Sequence, residues 1–173
     1  MNILRPPEDI QLPMLFDTAM AARDMLEHAW SPETAFQGIE LQPSDPPSRG
    51  QCGVTALWLS RHLWQHGAQA YFTEGIMHLD GLDEAYVWVE ARQNGANPQV
   101  IDLTSDQFGT INGTRVHVGE YDSGPGTIGS YEPRQYFRPD EVPRRKLLAR
   151  FAILEANIAR LPRRQHMRSG HAL

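Results

Sequence analysis

The only cysteine of this 173-residue chain stands in Gly50-Gln51-Cys52-Gly53, directly ahead of a stretch with helical periodicity. A thiol in the first turn of a helix meets unpaired backbone amides and the positive end of the helix dipole, both of which favour the thiolate. Cys52 is therefore a candidate nucleophile. Gly50 and Gly53 let another backbone come close, and Gln51 is placed to donate a hydrogen bond to a developing oxyanion. The competing reading is an inert packed thiol, because free cysteine is among the most buried residue types and Cys52 falls on the apolar face of its helix. A single cysteine excludes an intrachain disulfide and a multi-thiolate metal site. The seven histidines are scattered without ligand spacing, so neither a metal nor an organic cofactor is expected.

A thiol nucleophile needs a base, and the base needs an orienting group. Asp102 lies within Val100-Ile101-Asp102-Leu103-Thr104, an acid among apolar strand residues, and is the natural orienting acid. Its alternative role is to cap the following Ser105-Asp106-Gln107 turn. Among the histidines, His28, His62 and His66 sit on helical stretches beside polar neighbours, and His166 and His171 lie near the C-terminus. His78 and His117 remain. His78 ends a predicted strand and, in a hairpin, faces the start of the next near Ala85 and Tyr86, so it is the preferred base and His117 the second choice.

These residues need elements to position them. Residues 1–12 are rich in proline and acid and read as an irregular arm. Leu15, Ala19, Ala22, Leu26 and Ala29 then recur at helical spacing, predicting a helix over 13–30. Pro32, Pro43, Pro46 and Pro47 make the stretch up to Arg49 a loop. Cys52, Ala56, Leu59 and Leu63 share one face of a second helix, with Gly67 as its C-terminal cap. Strands are predicted at 70–79 and 85–92 around Asp80-Gly81-Leu82-Asp83, and at 99–103 after the Asn94-Gly95 turn. Residues 109–129 read as a glycine-rich covering loop with a short strand at 115–118. Leu147, Phe151, Leu154, Ile158 and Leu161 stripe a last helix over 144–161, ended by Pro162. The 163–173 tail is expected to be disordered. The resulting expectation is one α+β domain over 1–162, in which the Cys52 helix packs on a small antiparallel sheet facing His78, Tyr86 and Asp102.

Charge is uneven. From Pro143 onward there are eight Lys and Arg against one acid, Glu155, while the rest holds 20 acids against eight bases. The favoured reading is a basic helix resting on its own acidic body or forming a homodimer contact through 144–161. A nucleic-acid-binding arm is the less favoured one. No apolar run is long enough for a membrane span, and nothing at the start reads as a secretory signal, so a cytoplasmic address is expected.

Three motifs in order, Ala29-Trp30-Ser31-Pro32-Glu33-Thr34, Gly50-Gln51-Cys52-Gly53-Val54-Thr55-Ala56-Leu57 and Asp102-Leu103-Thr104-Ser105-Asp106-Gln107-Phe108, resemble the YunG-like family of uncharacterised bacterial proteins. The resemblance covers roughly residues 20–110. The order of helix-capping cysteine, sheet histidine and strand aspartate is also similar to that of papain-like and transglutaminase-like thiol enzymes, which implies a core of that kind. In the YunG-like pattern a histidine stands two residues before a tryptophan; here Tyr86 precedes Trp88 at that position. The expected function is cysteine-dependent acyl transfer on a protein or small amide, with Cys52, His78 and Asp102 catalytic and Gln51, Tyr86 and Trp88 binding. The alternative is a catalytically inactive binding or regulatory module that retains the fold, as the Tyr86 position suggests.

Overall fold

The computed structural model describes residues 12–79, 81–92, 96–108, 115–121 and 129–162. The expected N-terminal arm, the C-terminal tail, the Asn94-Gly95 turn and most of the 109–129 loop lie outside them. The described residues form three helices and a five-stranded antiparallel sheet: α1 (Leu12–Glu27), α2 (Cys52–Gln65), β1 (Gln69–Leu79), β2 (Leu82–Arg92), β3 (Gln99–Asp102), β4 (His117–Gly119), β5 (Ser130–Phe137) and α3 (Arg145–Arg160). The sheet order is β4-β3-β2-β1-β5. The α+β expectation holds at this level.

Alternation along each strand assigns its side chains to two faces. Ala70 and Phe72 of β1, Val89 and Ala91 of β2 and Ile101 of β3 join Leu57, Leu59 and Leu63 of α2, Leu26 of α1 and Leu147, Phe151 and Leu154 of α3 in the main core. Leu147, Phe151 and Leu154 of the α3 stripe are thus buried within their own chain, and Ile158 and Leu161 pack half-buried against the same core. On the outer face Met77, Tyr86, Trp88, Val100 and Tyr131 form a second cluster, against which Cys52, Phe108 and Tyr121 pack.

α2 ends where the sequence places its stop, with Gly67 in the left-handed region at φ 85°. The β1–β2 hairpin is in register from Gln69 with Arg92 to Leu79 with Leu82, and Gly81 lies between the strands in the left-handed region at φ 75°. β5 has no counterpart in the sequence reading. It pairs with β1 across a bulge at Glu74/Gly75, and the bulge switches side-chain parity, so that Tyr131 opposite Met77 and Phe137 opposite Phe72 lie on opposite faces. Gly75 is required there: a Cβ would collide with the Glu132 carbonyl and the Trp88 ring.

Candidate functional site

β2 pairs with β3 only from Val89–Ile101 to Ala91–Gln99. The ladder stops one residue short of Asp102, the last residue of β3, and the first residue of α2 lies against this end. Cys52 shares a narrow pocket there with Val87, Trp88, Ile101, Asp102, Leu103 and Thr104. The structure thus brings Cys52, Asp102, Tyr86 and Trp88 together across the end of the helix, although Tyr86, Trp88 and Asp102 project from the sheet face opposite α2.

Asp102 is 2% exposed and accepts on both oxygens. Its Oδ1 takes the Thr104 N–H at 2.8 Å and the Thr104 hydroxyl at 3.0 Å, and its Oδ2 takes the Tyr131 hydroxyl at 2.9 Å. Tyr86 completes the shell, with its hydroxyl 3.2 Å from Oδ1 and 2.8 Å from Thr104 Oγ1. Gln107 donates to the Tyr86 oxygen at 2.7 Å. The Thr104 hydroxyl donates to Asp102, and the Tyr86 hydroxyl, which accepts from Gln107, has its one proton within reach of Asp102 Oδ1, the Thr104 carbonyl and Thr104 Oγ1. Burial pushes the Asp102 carboxyl up to about 6 against these hydrogen bonds. Burial, with the charge of Asp102, keeps the Tyr86 phenol protonated far above its ordinary range.

The thiol behaves differently from the sequence expectation. Burial pushes Cys52 up to about 11, and the Asp102 charge acts in the same direction. The Gly53 and Val87 amides and the Arg150 guanidinium pull the other way and lose. The helix-terminal effect is real but small against desolvation next to a carboxylate.

Two expected partners are engaged elsewhere. Met77 belongs to the outer-face cluster, so the next residue, His78, projects from the other face of the sheet than Asp102. Its two nitrogens contact Asp83 Oδ1 at 2.7 Å and Glu132 Oε2 at 2.8 Å. Gln51, 3% exposed, donates to the Ser31 carbonyl at 3.0 Å while its oxygen takes the Thr34 hydroxyl at 2.8 Å. Its amide anchors the 31–34 loop instead of pointing into the pocket. Trp88, 1% exposed, packs edge-on against Tyr131 at 5.1 Å and is a core residue that walls the pocket. His117 is the histidine on the Asp102 side: it pairs with Asp102 across β3–β4 and stacks on Tyr131 at 5.5 Å. Burial pushes its pKa down.

Several site residues escaped the sequence reading. Arg23 is fully buried on α1 and forks onto Asp106 at 2.8 and 2.9 Å, with further bonds to the Leu103 and Arg115 carbonyls at 2.8 and 3.1 Å. It fixes the turn that carries Thr104 and Gln107. Arg150 reaches from α3 to the Thr34 carbonyl at 3.3 Å and lies over Phe36. Tyr131 comes from β5. An arginine beside the apolar stripe of α1, four residues before Glu27, is the one sequence signal for Arg23; Tyr131 offers none.

These contacts explain why the three sequence motifs occur together. Trp30 donates to Thr55 at 3.1 Å, Thr34 meets Gln51, and Gln107 joins Tyr86 to the Gly50 amide, the last contact at 3.4 Å. Among the described residues no group of three or more His, Cys, Asp or Glu is placed to hold a metal ion, and no helix is long and apolar enough to cross a membrane. Neither a curated protein nor a solved structure matches the chain. The family model described as YunG protein matches residues 18–160, which extends well beyond the three motifs, and the chain belongs to the YunG family.

Proposed function

We propose that this chain is a binding module on a papain-like or transglutaminase-like frame, which holds an amide-bearing ligand, a peptide segment or small amide, without cleaving it. The observation that carries this reading is the Tyr86 hydroxyl, which bonds the Thr104–Asp102 pair where a thiol enzyme needs an imidazole. A phenol held protonated beside a neutral thiol offers no base at neutral pH. Beside the pocket, and sharing Val87 with it, opens a groove of about 380 Å3 lined by Glu74, Gly75, Ala85, Tyr86, Arg134 and Gln135. That size suits a small ligand, and the Gln135 amide complements the N–H and C=O groups of a peptide, while the Glu74 carboxylate is held by Arg144 and the Arg134 guanidinium by Glu132, each at 2.7 Å.

The test is an NMR titration with capped tripeptides, followed over hours. Amide shifts at Gly75, Ala85 and Gln135, no cleavage product, and the same result in Cys52→Ala support the proposal. Cys52-dependent product overturns it. The catalytic reading, in which Cys52 attacks an amide with a histidine as base, keeps one observation in its favour: His117 sits directly across from Asp102. On that reading turnover disappears in both Cys52→Ala and His117→Ala.

A further inference from the structure

We propose that His78 is a proton-dependent clip that fastens the β1–β2 hairpin to the edge strand β5. Its Nδ1 faces the Asp83 carboxylate of β2 at 2.7 Å, and its Nε2 faces the Glu132 carboxylate of β5 at 2.8 Å. Two carboxylates need two N–H donors. Neutral imidazole has only one, so the geometry requires the imidazolium. Removing the proton turns one of the two contacts into a lone pair facing an anion. Both carboxylates raise the affinity of His78 for that proton. Among the described residues the group also includes Arg134, whose guanidinium holds the other oxygen of Glu132 at 2.7 Å.

The position gives the clip its consequence. Among the described residues β5 has a neighbour only on its β1 side, and beyond the Glu74/Gly75 bulge it is held by four pairings: Gly75–Pro133, Ile76–Glu132, Met77–Tyr131 and His78–Ser130. The clip closes the far end of this short run. The same run carries Tyr131, which donates to Asp102 and packs on Trp88, and it continues into Arg134 and Gln135. Titration of one exposed histidine is thereby linked to the support of the buried Asp102. The sign follows from a raised pKa: the clip is complete below the ordinary imidazole value of about 6.5 and is lost as pH rises through the higher folded value. The clip operates whether or not the neighbouring groove takes a ligand.

Two NMR measurements on the intact chain test it. Long-range 1H–15N correlation of the His78 ring reads its protonation, and amide exchange of Tyr131 and Glu132, corrected for intrinsic rates, reads the strand. We expect both ring nitrogens protonated below a midpoint above about 6.5, and protection falling roughly two- to five-fold through that midpoint, as befits exposed ion pairs. His78→Gln should abolish the step, and Glu132→Gln should lower the midpoint while leaving the fold intact. A His78 midpoint at or below the ordinary value, or protection that does not change through its titration, would overturn the proposal.

Discussion

A carboxyl group that holds its proton more tightly in the folded than in the unfolded chain destabilises the fold as pH rises, and Asp102 is such a group. Its pKa goes from an ordinary 3.8 to about 6 on folding. Roughly two units correspond to about 3 kcal/mol. Below the ordinary value both states are protonated and Asp102 costs nothing; between about 4 and 6 the unfolded chain ionises first and stability falls; above that the loss is constant. Other carboxylates titrate over the same range, so the measurement is a difference. Asp102→Asn cannot titrate. Its Oδ1 still accepts from Thr104, and Tyr131 need only rotate its hydroxyl to accept from the new amide. Urea unfolding of both proteins from pH 4 to 7.5 should show Asp102→Asn gaining about 3 kcal/mol relative to wild type over that interval. A difference independent of pH would mean that the hydrogen bonds from Thr104, Tyr131 and Tyr86 fully offset burial, and the account of the site's electrostatics would fail.

Two further outcomes follow from the same contacts. Arg23→Met leaves the Asp106 carboxylate buried without its guanidinium, which should cost about 3–5 kcal/mol by chemical denaturation; a loss below about 1 kcal/mol would show that the clamp does not hold the turn. Cys52, raised to about 11, is neutral in the fold where the unfolded thiol ionises near 9.0. Stability should therefore fall between about pH 9 and 11 by roughly 3 kcal/mol more in wild type than in Cys52→Ala, and parallel alkaline curves would contradict the burial argument.

Local pattern made the helices, the β1–β2 hairpin and β3 legible, because the apolar stripe ahead of Gly67 and the alternation about Asp80-Gly81 are short-range signals. β5 was not legible. Ser130-Tyr131-Glu132-Pro133-Arg134-Gln135-Tyr136-Phe137 contains a proline and a bulge, and its partner strand lies more than 50 residues earlier in the chain. Placing His78 on the Asp102 side failed for a related reason: on a strand one residue decides the face, and that face is set by packing of Met77 in the second cluster. The thiol pKa went wrong because helix position is local, whereas burial and the Asp102 charge come from tertiary structure. Arg23 and Asp106 are 83 positions apart, and nothing in either segment announces the pair. What the sequence did expose was the Tyr86 departure, and the hydrogen bond from Tyr86 to Asp102 places that residue within the site.

Burial beside Asp102, with a phenol rather than an imidazole at position 86, keeps Cys52 a neutral thiol. Alkylation of Cys52 by iodoacetamide as a function of pH tests it most directly, compared between wild type, His78→Ala and Tyr86→His. Wild-type alkylation should be slow and rise only toward pH 11, with an unchanged profile in His78→Ala and a Tyr86→His midpoint displaced below the free-thiol value of 9.0. A wild-type midpoint already below that value would show an active thiolate and contradict the claim.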